Sequence, residues 1–186
     1  EVSTALGNIN ILSEMARIKA ETEPQKSKEF IEQIQSKSHN MMIAMDDMLW
    51  TIDPENDNMG KIILRVREYI DALRNRHGVQ IDLLVDKNVE ALQLNMKLRK
   101  ELFWLFKSGI TNVVKTGGHN CRMHISFERP NLLYTLEFDN AGSDMQQLNN
   151  LRQRKELADK IKEINAKFDF QVLKTKSIFS LTIPVV

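Results

Sequence analysis

The sequence predicts an α+β molecule in two parts: a helical hairpin, then a two-layer sandwich with helices on one face of a mostly antiparallel sheet. Three observations carry that expectation. Over the first ~50 residues apolar side chains recur at spacings of three and four, with no strand-like alternation. A turn-rich joint, "DPENDN" (residues 53–58), then interrupts the pattern. Beyond it the periods change repeatedly, in the order helix, strand, helix, strand, strand, helix, strand, strand. Two domains follow, 1–53 and 54–186.

In the first domain Val2, Ala5, Ile9, Leu12 and Ala16 line one face of a helix. Pro24, in "AETEPQK", ends it, since proline cannot continue a helix and disfavours helical geometry at Glu23. A second helix carries a heptad of Ile31, Ile34, Ser38, Met41, Met45, Met48 and Ile52, whose alternating steps of three and four make a coiled-coil seam. Two helices cannot enclose a core, so the economical partner is a second copy, giving a four-helix bundle in a homodimer. Packing of the hairpin on the rest of its own chain is the alternative. The cluster Met41, Met42, Met45 and Met48 reads as filling for that bundle, and His39 as a polar residue flanking the seam.

In the second domain Met59, Ile62, Ile63, Val66, Tyr69, Ile70 and Leu73 mark a helix that Gly78 closes. "VQIDLLV" (79–85) follows as a strand with Val79, Ile81, Leu83 and Val85 on one face. Asn95 stands where a cap would begin the next helix. There Phe103, Phe106, Ile110 and Val113 form a buried stripe, while Ser108, Asn112 and Lys115 share the opposite face. An amide and an ammonium projecting together suit a metal ion and a phosphate. One turn before the amide, where catalysis wants a carboxylate, stands only a hydroxyl. "CRMHISFE", "RPN" and "LLYTLEF" read as a β-hairpin, Met145 to Ile164 as a charged helix, and "KFDFQV" with "SIFSLTIPV" as a last strand pair. Trp50 and Trp104 are read as core anchors.

Composition bounds the function. With 186 residues, 42% of them hydrophobic, the chain can bury a core. A net charge of +1 argues against a broad nucleic-acid footprint, and "RQRKELADK" reads as a solvated helix face. The single cysteine, Cys121, excludes an internal disulfide and disfavours a cysteine-based zinc site, which suits a reducing, cytoplasmic setting. His119 and His124 have no partners at ligand spacing. No apolar run approaches the ~20 residues that span a bilayer. The chain begins inside a helical pattern, so it is expected to be a fragment of something longer.

"MDDMLWTIDPENDNMGKIILRVREYIDAL", the helix containing "LFKSGITNVVK", the turn "LEFDNAGSD" and the terminal "SLTIPV" together resemble a bacterial two-component sensor histidine kinase: a dimerisation hairpin followed by a gyrase-like, Bergerat-type ATPase domain. The likeness covers essentially the whole chain in order. It implies ATP-dependent autophosphorylation of a histidine, with ATP and Mg2+ as cofactors, then phosphotransfer to an aspartate of a response regulator or receiver domain. By its register the phosphoacceptor lies just upstream of Glu1 and is none of the histidines here. It also implies a cytoplasmic piece of a membrane-anchored sensor, touching membrane only through regions outside this chain. The family's phosphatase position falls near Thr4, which is not a water-orienting amide.

The departures fall on the working parts. By resemblance Asn112 is the metal ligand, with Lys115, Asp139 and Gly142 completing the nucleotide contacts, but the family's catalytic glutamate is Ser108. Asp139 matches the adenine-reading aspartate, with the capping of a turn after a strand as its other reading. Ala141 replaces the glycine after "DN", and "LNNLRQRKEL" and "LKTKSIF" stand without glycine where the family has glycine-rich loops. A carboxylate orients a metal-bound water and accepts a proton; an un-ionised hydroxyl does neither well. Glycine lets backbone amides approach phosphate, and long side chains obstruct them. Each 1.4 kcal/mol so lost is about tenfold in rate. The expectation is a transmitter core with weak or absent ATP chemistry. Two competitors stand beside it: a working kinase drawing on another acid, for which Glu101 is badly placed two turns earlier, and a non-enzymatic dimeric scaffold, a pseudokinase relaying helix motion.

Overall fold

The computed structural model describes residues 2–115, 120–139 and 155–185, and the chain divides into two compact units, Glu1–Trp50 and Thr51–Val186. In the first unit α1 (Val2–Lys19) and α2 (Pro24–Ile52) form the expected hairpin. Pro24 is the first residue of α2, where a missing N–H costs nothing. The helices approach closely beside the turn because Ala16 and Ser27 are small: the Ser27 hydroxyl donates to the Ala16 carbonyl at 2.8 Å, both residues being buried. Glu23 pairs with Lys19 and with Lys26, and hydrogen bonds from those two ammoniums, Lys19's the stronger, hold its carboxyl down at about 2.

The heptad divides in the structure. Phe30, Ile34, Ser38 and Met41 continue the stripe of Ser27 and are half-buried. Ile31, Met45, Met48 and Ile52 are exposed, as are Met42 and Leu49 on α2 and Leu6, Ile11, Met15 and Ile18 on α1. The hairpin alone thus leaves a wide apolar surface in water. His39 is exposed on α2, the flanking place expected for it.

In the second unit each helix has its sequence-coded stop and start. The Asp53 carboxylate accepts from the Glu55 N–H at 3.0 Å and opens a single 3-10 turn, Pro54–Asn56. The Asn58 side chain accepts from the Lys61 N–H at 3.1 Å and caps α3 (Met59–His77). Gly78 ends α3 at φ 64°, a left-handed conformation suited to glycine, returning its N–H to the Arg74 carbonyl at 2.9 Å. β1 (Gln80–Val85) follows, then α4 (Met96–Lys115), capped as expected by Asn95, whose Oδ1 accepts from the Leu98 N–H at 2.8 Å. β2 (Asn120–Glu128), β3 (Asn131–Asp139), α5 (Lys155–Glu163), β4 (Lys167–Val172) and β5 (Lys176–Pro184) complete the order. The expected charged helix is described over Lys155–Glu163, and its earlier part, Met145 onward, lies outside the described residues.

The sheet runs β1-β2-β3-β5-β4 and is mixed: β1 pairs with β2 in parallel, all other neighbours antiparallel. One face carries the core, with Ile125, Tyr134 and Leu181 aligned across β2, β3 and β5 and all but fully buried. Tyr134 anchors it, its ring 4.8 Å from that of Phe106 on α4 and 5.8 Å from that of Phe179 on β5. The opposite face is polar, with Asp82, Arg122 and Glu137 abreast. Both tryptophans depart from expectation: Trp50 and Trp104 are half-buried rather than core residues. A polar partner explains Trp104, since the Lys160 ammonium lies 6.0 Å from its ring.

Candidate functional site

α4 presents the candidate site on one flank. Leu98, Leu102, Phe106, Ile110 and Val113 are buried and set its inward face. Two contacts to α3 fix its rotation: the hydroxyls of Tyr69 and Thr111 meet at 2.5 Å, and the Lys107 ammonium sits 4.9 Å from the centre of the Tyr69 ring. The sheet fixes its height. A Cβ on Gly109 would stand 2.7 Å from the Tyr134 hydroxyl and 3.3 Å from Leu136 Cδ2, so the backbone of α4 rests directly against β3.

With α4 so held, Glu101, Trp104, Ser108, Asn112 and Lys115 fall in one row, three or four residues apart. α5 meets the first part of that row. Glu101 is 3% exposed and pairs with Lys160 at 2.8 Å, so the one carboxylate on this flank is committed to a structural ion pair. The row continues with Ser108 and Asn112, both half-buried, and Lys115, exposed at the helix end. The Asn112 amide donates to the Ser108 hydroxyl at 3.4 Å, a long contact. The structure therefore brings Ser108 and Asn112 together as the spacing expects.

Asp139 lies elsewhere. Tyr134, Leu136 and Phe138 alternate toward the helices and are buried, so Asp139, next after Phe138, belongs to the face turned away from α4. There its carboxylate accepts from the Asn120 side-chain amide at 2.9 Å, across the β2–β3 pair. At this level of β3 the helix side is occupied by an apolar ring. Asp139, Asn120 and Lys176 border a shallow cleft of about 250 Å³ together with Asp82, Arg122 and Glu137. Cys121 borders it too, its thiol pushed up to about 12 by burial and then by the nearby charges of Asp139 and Asp82. Gly142, Ala141 and His119 lie outside the described residues.

Among the described residues no three His, Cys, Asp or Glu side chains gather to hold a metal. Asn112 can offer magnesium one amide oxygen, and Ser108 a neutral hydroxyl. That is a thin set for an ion that favours carboxylate and phosphate oxygens in an octahedron. Two partners escaped the sequence reading: Asn120 for Asp139 and Lys160 for Glu101. The alternation of "YTLEFD" does signal the outward place of Asp139; nothing local signals Lys160.

No protein-family model matches the chain, and no curated protein matches it in sequence. Solved structures do match, and they show that the chain has the fold of a sensor histidine kinase. The histidine kinase AdeS of Acinetobacter baumannii superposes with a TM-score of 0.61 at 14% identity, over 96% of this chain and 95% of that one. The blue-light activated histidine kinase EL346 of Erythrobacter litoralis does so with a TM-score of 0.56 at 13% identity, over 91% of this chain and 63% of that one. The catalytic domain of histidine kinase ThkA matches 68% of this chain and 93% of its own length, with a TM-score of 0.54 at 10% identity. At such identities the likeness is one of fold.

Proposed function

We propose that this chain is the transmitter core of a two-component sensor in which the kinase architecture is kept and the ATP chemistry is weak or absent. In this reading the first unit dimerises, a receiver domain of a response regulator is the partner, and the phosphoacceptor histidine and any membrane anchor belong to regions outside this chain. The non-enzymatic form of the same reading is a dimeric scaffold that passes conformational change along its helices. The observation that carries it is the flank of α4. Where phosphoryl transfer needs a carboxylate one turn before Asn112 there is Ser108, and the only acid on α4, Glu101, is buried against Lys160. The placement of Asp139 supports it further, because the carboxylate expected to read adenine is bonded to Asn120 on the other face of the sheet.

Magnesium-ATP should accordingly bind with a dissociation constant above roughly 1 mM, less than ~4 kcal/mol of binding free energy. Isothermal titration of the purified chain with a non-hydrolysable ATP analogue and magnesium measures it. A micromolar constant that Asp139→Ala abolishes would overturn the proposal and make the chain an ordinary kinase.

A further inference from the structure

Among the described residues β1 is an edge strand, with β2 on one side and no strand on the other. Its pairing parity decides what that edge offers. The Asp86 N–H donates to the Ile125 carbonyl, while Val85 is the residue in register with Ile125. In a parallel ladder this gives the backbone groups of Asp82, Leu84 and Asp86 to β2 and turns those of Ile81, Leu83 and Val85 outward. The Ile81 carbonyl is taken by the Arg74 guanidinium. Among the described residues no backbone partner reaches Leu83 or Val85 from the open side.

A groove of about 460 Å³ wraps this edge from α3 to the polar face of the sheet. Arg67, Asp71 and Arg74 border it on the α3 side, and Asp82, Leu84 and Arg122 on the other. Asp71 is paired with Arg74 at 2.9 Å. Among the described residues Arg67 and Arg122 have no carboxylate partner. Leu84 is 50% exposed at the groove wall. The bare backbone of Leu83, two guanidiniums in no ion pair among the described residues and an exposed leucine border one groove, and Val85 continues the open edge beyond it.

Edge strands are normally blunted by charge, shortness or a covering group, and Asp82, Asp86 and Arg74 do part of that here. Blunting alone does not require three guanidiniums against two carboxylates in the groove, with Arg67 and Arg122 in no ion pair among the described residues. A second copy of this chain fits the edge badly. Antiparallel pairing centred on Leu83 would set Asp82 against Leu84 and bring each Arg67 toward its equivalent. We infer that the open edge of β1 is a docking site for an extended acidic segment of another protein, which adds a strand to the sheet. Backbone hydrogen bonds to Leu83 and Val85 supply the register, and the side chains of the added strand alternate between two surroundings. Those turned toward α3 meet Arg67, which has no ion-pair partner among the described residues, and carboxylates suit it there. Those on the polar face pass Leu84 and tolerate an aliphatic side chain, with Arg122 at the margin.

The inference concerns an edge remote from the α4 flank and does not depend on whether nucleotide binds. Amide NMR of the whole chain tests it with two ten-residue peptides, one alternating Glu and Val and the other Lys and Val, and with charged poly-glutamate as a non-strand anion. The Glu–Val peptide should shift the amides of Leu83 and Val85 and slow their exchange with solvent at least tenfold. Arg67→Glu, an exposed change on α3, should weaken binding at least tenfold, and Leu83→Pro, which removes an outward donor without touching the bonds to β2, should abolish it. Equal binding of the Lys–Val peptide would overturn the charge assignment. Poly-glutamate binding as tightly without protecting Leu83 and Val85 would reduce the edge to an anion patch, and peptides that leave both amides unmoved would remove the site.

Discussion

A side chain added at position 109 would meet the Tyr134 hydroxyl at 2.7 Å, and that contact sets how α4 sits on β3. The Tyr134 hydroxyl is fully buried and has no hydrogen-bond partner among the described residues, while burial pushes the phenol well above its ordinary range. Gly109→Ala would gain about 1 kcal/mol of helix propensity but would force the phenol or the helix to move, which in a packed core costs about 1–3 kcal/mol. The substitution should therefore destabilise by up to about 2 kcal/mol. Tyr134→Phe removes the clashing atom together with an unsatisfied hydroxyl, so in that background Gly109→Ala should be neutral or stabilising. A double-mutant cycle in urea decides the point. Strictly additive effects would show that the hydroxyl does not set the height of α4, and with it the position of Ser108 and Asn112.

Among the elements, the α1–α2 hairpin makes a pH-dependent claim. The Glu23 carboxyl lies at about 2 against an ordinary 4.5, because Lys19 and then Lys26 donate to its charged form. A depressed carboxyl contributes stability that is fully present above about 4.5 and is lost as the pH falls toward 2. A carboxyl NMR titration should place the Glu23 midpoint near 2, and Lys26→Ala should raise it. A midpoint unmoved by Lys26→Ala would remove that ion pair from the account. The hairpin itself was legible, because its residues meet neighbours close in sequence and Pro24 marks the turn. So were the caps at Asn58, Asn95 and Gly78, each a local hydrogen-bonding pattern. The parallel pairing of β1 with β2 was not, since it joins Ile81 to Cys121 across a whole helix. At the site, Ser108 and Asn112 followed from helical spacing alone. Asp139 was matched by its neighbours in the motif rather than by strand parity, and parity decides where its carboxylate points. The buried pair of Glu101 with Lys160 spans 59 residues and carries no local signal.

For the whole molecule the deciding quantity is the apolar surface that one hairpin leaves in water. Ile31 is 47% exposed, Met42 67% and Leu49 63%, and the three lie along one side of α2 next to its α1-facing stripe. Contiguous surface of this kind is where an interface is expected, and under the proposed reading a copy of the hairpin covers it. Ile31 and Leu49 stand about five helical turns apart on the same side, so both would enter a four-helix bundle. Neither belongs to the inner stripe of Phe30, Ile34 and Met41. Replacing both with glutamate should thus leave the hairpin folded while setting charges, unpaired, into the bundle. Light scattering of the parent chain at micromolar concentration should give twice the 21.6 kDa of one chain, and the double variant should give that single mass with its helical circular dichroism retained. A parent chain that is already monomeric, or a double variant that still dimerises, would mean that this side of α2 is not where the copies meet.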